Sequence, residues 1–282
     1  VAVSETLTPS RADARDTAPP PRRQRRGFGV AVVLPPVVLI GLLLAGWQTA
    51  VVAGHVDPTV LPSPTRIVEQ GWLARSDIWA NTTPTLIETV IGFAVSLAVA
   101  WTLAIVVDFS VLLRRALMPL LVASQTIPII AIAPLMIIWF GFGLLPKVIV
   151  ISLVTFFPVC VGLIEGFAST DREATNLLRS MGAGRWRQFI AVRLPSALPR
   201  FFTSLRIGIT YAVTGAIFAE YVGAKNGLGI YMSEMKNAFR TDLVLAAVVV
   251  IAVISVCLFL LTYLVERLVI PWHSKERRSH RG

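Results

Sequence analysis

Six blocks of mostly apolar residues are spaced along the chain, and each is close to or above the roughly 20 residues that a helix needs to cross the hydrocarbon core of a bilayer. They run over 30–53, 84–107, 115–140, 147–167, 201–219 and 243–266. The third and fourth blocks are hard to separate, because no charged residue falls between Ala116 and Pro146. Gly141-Phe142-Gly143, followed by Pro146, supplies the turn between them. The pattern predicts an all-α, polytopic membrane protein with six transmembrane helices.

Two of the polar connections are long enough to have structure of their own. The segment 54–83 opens with Asp57-Pro58 and Leu61-Pro62-Ser63-Pro64. It then places Ile67, Val68, Trp72 and Leu73 at near-helical spacing, which predicts a short amphipathic helix over 65–77 at the membrane surface. In the segment 169–200, Thr170 precedes Glu173 by three residues, the spacing of a capping box. Leu177, Leu178 and Met181 then recur on one face, so a short, partly apolar, Arg-rich helix is expected here as a docking element.

Composition supports the membrane reading. Apolar residues make up 55% of the 282 and charged residues only 15%, against roughly a quarter in ordinary soluble domains. The formal charge of +10 does not point to nucleic acid, because the Lys and Arg residues gather at the ends of apolar blocks. Their distribution sets the topology. With the N-terminus inside, 19 fall in cytoplasmic segments and 6 in external ones, and Arg206 lies about a turn into the fifth block, near enough to the inner interface to snorkel. Both termini are therefore expected in the cytoplasm.

Residues 1–29, with six arginines and Pro19-Pro20-Pro21, have the composition of a disordered basic tail, and 269–282 reads as a second basic tail. No cleavable signal peptide is evident, so the first block is expected to stay as an anchor. Cys160 and Cys257 lie inside apolar runs and suggest packing, not a disulfide.

The spacing within 169–200 resembles the cytoplasmic loop of permeases of ATP-binding-cassette importers. That loop reads Glu-Ala-Ala, three residues, Gly, nine residues, Ile, one residue, Leu-Pro. Gly182 is followed at that gap by Val192, Arg193, Leu194 and Pro195. The Glu-Ala-Ala position falls on Asn176-Leu177-Leu178, so Glu173-Ala174 is three residues out of register and the acidic residue is replaced by Asn176. The resemblance implies that this loop sits in a groove of an ATPase subunit and transmits its closure. Asn176, Leu177, Leu178, Gly182, Ala183, Leu194 and Pro195 are its candidate coupling residues. Gly182 would let the chain turn sharply after the helix, and Pro195 would end the loop.

A second resemblance covers roughly 60–268. Leu61-Pro62-Ser63-Pro64, Pro128, Ala131, Pro134-Leu135, Trp139-Phe140-Gly141, Gly143, Lys147, Arg206, Ala219-Glu220 and Gly227-Leu228-Gly229 look like the pattern in permeases for nitrate, sulfonates, taurine and thiamin-precursor pyrimidines. The run Tyr211-Ala212-Val213-Thr214-Gly215-Ala216 looks more like the pyrimidine type, since the sulfonate type commonly has Trp where Val213 stands.

Pro119, Pro128 and Pro134 each remove a backbone donor from the third block, which is tolerated in a bilayer where protein or a water-filled cavity satisfies the freed carbonyls. Ser124, Gln125 and Thr126 in that block, with Thr210, Tyr211, Thr214 and Glu220 in the fifth, are therefore candidates to line a pathway. Packing of ordinary membrane helices is the competing reading for the prolines and hydroxyls, and a simple interface boundary is the competing reading for Glu220. Gly208, Ala212, Gly215 and Ala216 read as packing positions, and Glu165 as a candidate for an ion pair.

No phosphate-binding Gly-rich motif followed by Lys-Ser/Thr occurs, His55, His273 and His280 have no metal-ligand spacing, and no nucleophile elbow is present. The expectation is a transport subunit with no cofactor of its own, with ATP and Mg on a partner. The resemblance implies a type I importer permease core over 84–268, preceded by a first helix and external segment over 30–83. It further implies a permease homodimer, two ATPase subunits, an external substrate-binding protein and surrounding lipid. The rival of another class is a channel or membrane-anchored interaction protein without an ATPase.

Overall fold

The computed structural model describes residues 30–271. The basic tail expected over 1–29, nearly all of the second tail, His273 and His280 lie outside the described residues. Every long element among the described residues is a helix, and the chain divides into two units after Trp47.

The first unit contributes most of α1 (Val30–Ala53). Its apolar side chains from Leu34 to Leu44 are exposed along the helix, as lipid solvation requires.

In the second unit, Ser63 caps α2 (Pro64–Leu73) by accepting from the Arg66 N–H, and Pro64 stands at the first helical position, where its missing N–H costs nothing. This helix stops at Leu73, short of the expected residue 77. Arg75, Ser76 and Asp77 instead open α3 (Arg75–Phe109), which starts nine residues before the second apolar block. Just upstream of α2, the Asp57 carboxyl is held below its usual value by the N–H and hydroxyl of Thr59.

The third apolar block is two short helices. They are α4 (Val111–Ser124) and α5 (Ile129–Phe140), of 14 and 12 residues, and neither is long enough to cross a bilayer alone. The break follows from Pro128, which has no N–H to continue the ladder and disfavours helical backbone at Ile127 before it. Among the described residues five helices are long and apolar enough to span, not the six expected, because this pair stands where the third span was placed.

The expected turn at Gly141-Phe142-Gly143 is present, with both glycines at positive φ. Pro146 is not part of it, standing instead in the first turn of α6 (Leu144–Ala168). Beyond α6 come α7 (Arg172–Ser180) and α8 (Arg185–Gln188), then a π turn over Phe189–Arg193 that runs without interruption into α9 (Leu194–Gly223). The chain closes with α10 (Leu228–Asn237) and α11 (Thr241–Val269).

Helices α3, α6 and α9 form the core of this unit, with Phe93, Ala100, Ile151, Leu163, Phe202 and Ala212 buried between them. Small residues set their spacing. A Cβ on Gly92 would lie 2.7 Å from Ile151, and one on Gly162 would collide with Ser204. Gly208, Ala212, Gly215 and Ala216 are all buried, as packing positions should be. At the start of α11, Asp242 is buried and bridges Arg66 of α2 (3.2 Å) and Arg240 (3.0 Å).

Candidate functional site

At the break between α4 and α5 a cavity of about 390 Å³ opens against α6 and α9. Ser124 and Gln125 line it from the break, Phe157 and Pro158 from α6, and Tyr211, Thr214 and Phe218 from α9. Four of the seven pathway candidates therefore meet at one place. Thr126 and Thr210 stand outside it, each spending its hydroxyl on a helix carbonyl, Ala123 O at 2.7 Å and Arg206 O at 3.1 Å. Ser124 and Thr214 likewise donate to Leu121 O and Thr210 O. Among the described residues, the Gln125 amide and Tyr211 phenol are the polar groups on this wall with no protein partner, and no charged residue lines the cavity.

Glu220 is not on that wall. It is wholly buried in the last turn of α9, where Thr85 Oγ1 donates to its Oε1 at 2.6 Å and the Gly229 N–H donates to its Oε2 at 2.7 Å. The cause is the start of α10, whose first N–H groups have no helical acceptors. Glu220 takes one, Thr85 Oγ1 accepts from the Leu228 N–H (2.9 Å), and Asn81 Oδ1 accepts from the Gly227 N–H (2.9 Å). Gly227-Leu228-Gly229 is thus a clasp around a carboxylate. Gly227 has φ +134, and a Cβ there would strike the Glu220 carboxyl group.

Close by, Lys147 of α6 donates to Glu88 of α3 at 2.5 Å, with both side chains nearly buried. Lys147 counts in sequence as one of the external positive charges, and the structure makes it half of an interhelical ion pair. Arg206 is likewise paired, to Glu266 of α11 at 2.7 Å, where snorkelling alone was expected. The ion pair anticipated for Glu165 is a loose one to Arg200 at 3.8 Å with both groups exposed, a geometry that adds little stability.

The loop over 169–200, expected in the cytoplasm, has two mechanically different halves. In the first, α7 is capped by Asp171, whose carboxylate accepts from the Glu173 N–H at 2.9 Å; the Thr170 hydroxyl is turned back to Phe167 O, so the expected capping box is not formed. Gly182 ends α7 at φ +79. Its N–H reaches Arg179 O and the Ala183 N–H reaches Leu178 O, both at 3.0 Å, the paired bonds of a Schellman stop. Leu177 and Met181 are exposed on this helix, Asn176 is exposed on another face, and Leu178 is half-buried.

The second half is bolted to α3. Arg193 donates from Nη1 to both oxygens of Asp108, at 2.8 and 3.0 Å, Arg185 donates to Phe109 O at 2.9 Å, and Phe109, Trp186 and Phe189 stack. Leu194 and Pro195, expected to end the loop, lie in the first turn of α9. The π turn stands just before them, and Pro195 has no N–H to give the carbonyl four residues back, so the departure from regular α bonding falls where the proline would interrupt it.

These features define a multi-pass helical membrane protein with a cavity at a broken helix and a loop whose first helix offers an unpartnered apolar face. The chain belongs to the family described as binding-protein-dependent transport system inner membrane component, whose profile matches residues 92–271, and it is a permease of an ABC importer. It is 37% identical over 241 residues to the riboflavin transport system permease protein of Chloroflexus aurantiacus, covering 85% of this chain and 90% of that one. It is 36% identical over 245 residues to the formylaminopyrimidine transport permease protein of Halalkalibacterium halodurans, covering 86% and 97%. A solved inward-facing methionine ABC transporter shares the fold, with a TM-score of 0.57 at 19% identity over 70% of this chain and 96% of that one.

Proposed function

We propose that two copies of this chain, with two ATPase subunits and an external binding protein, import a small neutral heteroaromatic compound of the thiamin-precursor pyrimidine type. The observation that carries the substrate class is the cavity wall. It is aromatic and apolar, offers the Gln125 amide and Tyr211 phenol, and holds no cation to meet a sulfonate, taurine or nitrate anion. The names of the two relatives, one for riboflavin and one for formylaminopyrimidine, support the same class.

ATP and Mg act on the partner. Its groove receives α7 through Leu177 and Met181, the α8 anchor on α3 carries the displacement into the membrane, and the broken helix exposes the cavity alternately to the two sides. The Lys and Arg distribution supports a topology with both termini in the cytoplasm.

Uptake into proteoliposomes holding the full complex tests the substrate class. With the binding protein supplied, a pyrimidine should compete with the transported compound and taurine should not. Gln125→Leu, which removes the amide without charge, should lower uptake on the order of tenfold, the effect of one lost hydrogen bond to a bound polar group. Competition by taurine with none by pyrimidine would replace this reading with the sulfonate one.

A further inference from the structure

A polar cleft of about 550 Å³ lies on the cytoplasmic side, between α7 and the inner ends of α3 and α6. Five arginines from four elements line it: Arg114 of α4, Arg172 and Arg179 of α7, Arg185 of α8 and Arg193 of the π turn. One carboxylate faces them, Asp108, and it is already taken by Arg193. Among the described residues, Arg114, Arg172 and Arg179 have no ion-pair partner. We propose that this cleft binds the phosphodiester headgroup of an anionic membrane lipid, which bridges the coupling helix to the membrane core.

Three observations select that ligand. First, so much positive charge converging on one cavity repels itself unless an anion sits among it, and guanidinium forks match phosphate oxygens. Second, the cleft is at headgroup depth: Phe167 and Ala168, at the cytoplasmic end of the spanning helix α6, line it beside the arginines. The first turn of α4, which supplies Arg114, also exposes Val111 and Leu112, apolar side chains suited to the acyl region just beyond the headgroups. Third, the two faces of α7 are separate. Arg172, Asn176 and Arg179 fall at helical spacing on the cleft side, whereas Leu177 and Met181 line no part of it. The ATPase can therefore hold one face while a lipid holds the other. Since the second half of the loop is fixed to α3 by an ion pair and a hydrogen bond, a bridging headgroup would position the first half, for which no such bond to α3 is found among the described residues. The inference concerns this cleft alone and is independent of which compound is carried.

The test uses the full-length permease with its ATPase in nanodiscs of phosphatidylcholine containing increasing phosphatidylglycerol, with bound phosphatidylglycerol read by native mass spectrometry. Arg172→Gln with Arg179→Gln should weaken phosphatidylglycerol binding on the order of 30-fold, each basic side chain near an anionic headgroup contributing about 1 kcal/mol. Arg172→Lys with Arg179→Lys should keep most of it. Arg115→Gln removes a charge at the same depth outside the cleft and should cost no more than roughly fivefold. Unchanged lipid binding in the double Gln variant would overturn the site. Saturable inorganic phosphate binding with no phosphatidylglycerol retained would overturn the lipid assignment in favour of soluble phosphate. Loss of ATPase co-purification with lipid binding intact would assign the arginines to the protein partner instead.

Discussion

Lys147 and Glu88 show how a residue's meaning changes once its partner is known. In sequence the lysine stands just after a turn and reads as a surface charge; in the structure it crosses from α6 to α3 and is nearly buried. Neutralising one member leaves the other buried without a counter-charge, which costs about 3–5 kcal/mol, whereas replacing both with apolar groups of similar size is close to neutral. Thermal unfolding of the purified protein should therefore rank Lys147→Met as less stable than the double variant Glu88→Leu with Lys147→Met. Equal losses would mean that the pair is solvated. Glu220 was hidden for the same reason. Its donors are the Thr85 hydroxyl, 135 residues away, and the Gly229 N–H on the next helix, and no local pattern announces such a partnership. The hydroxyls of Ser124 and Thr214 were better guides, because they sit in helices whose breaks and small residues already mark a cavity wall.

Helices and their ends were legible wherever apolar length or backbone chemistry determines them. Gly182 reads as a sharp stop and has the positive φ of one; Gly141 and Gly143 turn the chain as expected. The prolines of the third block announce disruption, but not that α4 and α5 would be wholly separate, since proline inside a helix can also merely kink it: Pro119 and Pro134 stay within α4 and α5. The π turn before Pro195 and the early start of α9 were beyond reach, because a proline in a first helical turn and a proline that ends a loop look alike in sequence. The clasp between α9 and α10 gives a test at this scale. Gly227→Ala adds a methyl group at φ +134 and into the Glu220 carboxyl, so the start of α10 should loosen and stability fall by about 2 kcal/mol or more. Hydrogen exchange should show the loss as faster exchange at Leu228 and Gly229. Wild-type protection there would mean that Glu220 is held by other contacts.

Over the whole molecule, the arrangement of charge along the chain predicts which loops face which side. Single cysteines placed at Ser63 and Asn226 should react with impermeant reagents from outside, and one at Ser180 only from the cytoplasm. Labelling of Ser63 from inside would overturn this topology.

Coupling through α7 is the central claim, and Gly182 tests it most directly. A Cβ at this position meets nothing within 4 Å, so the effect of Gly182→Val is on the backbone alone: a β-branched residue resists φ +79 and must unwind the stop that sets the end of α7. Asparagine tolerates that conformation and serves as the control. Measured as ATP-driven uptake in proteoliposomes, with membrane insertion, ATPase co-purification and binding-protein affinity followed in parallel, Gly182→Val should abolish transport while insertion and that affinity persist, and Gly182→Asn should retain most of it. Uptake by an assembled Gly182→Val complex at the wild-type rate would contradict the account, leaving the loop a passive connector.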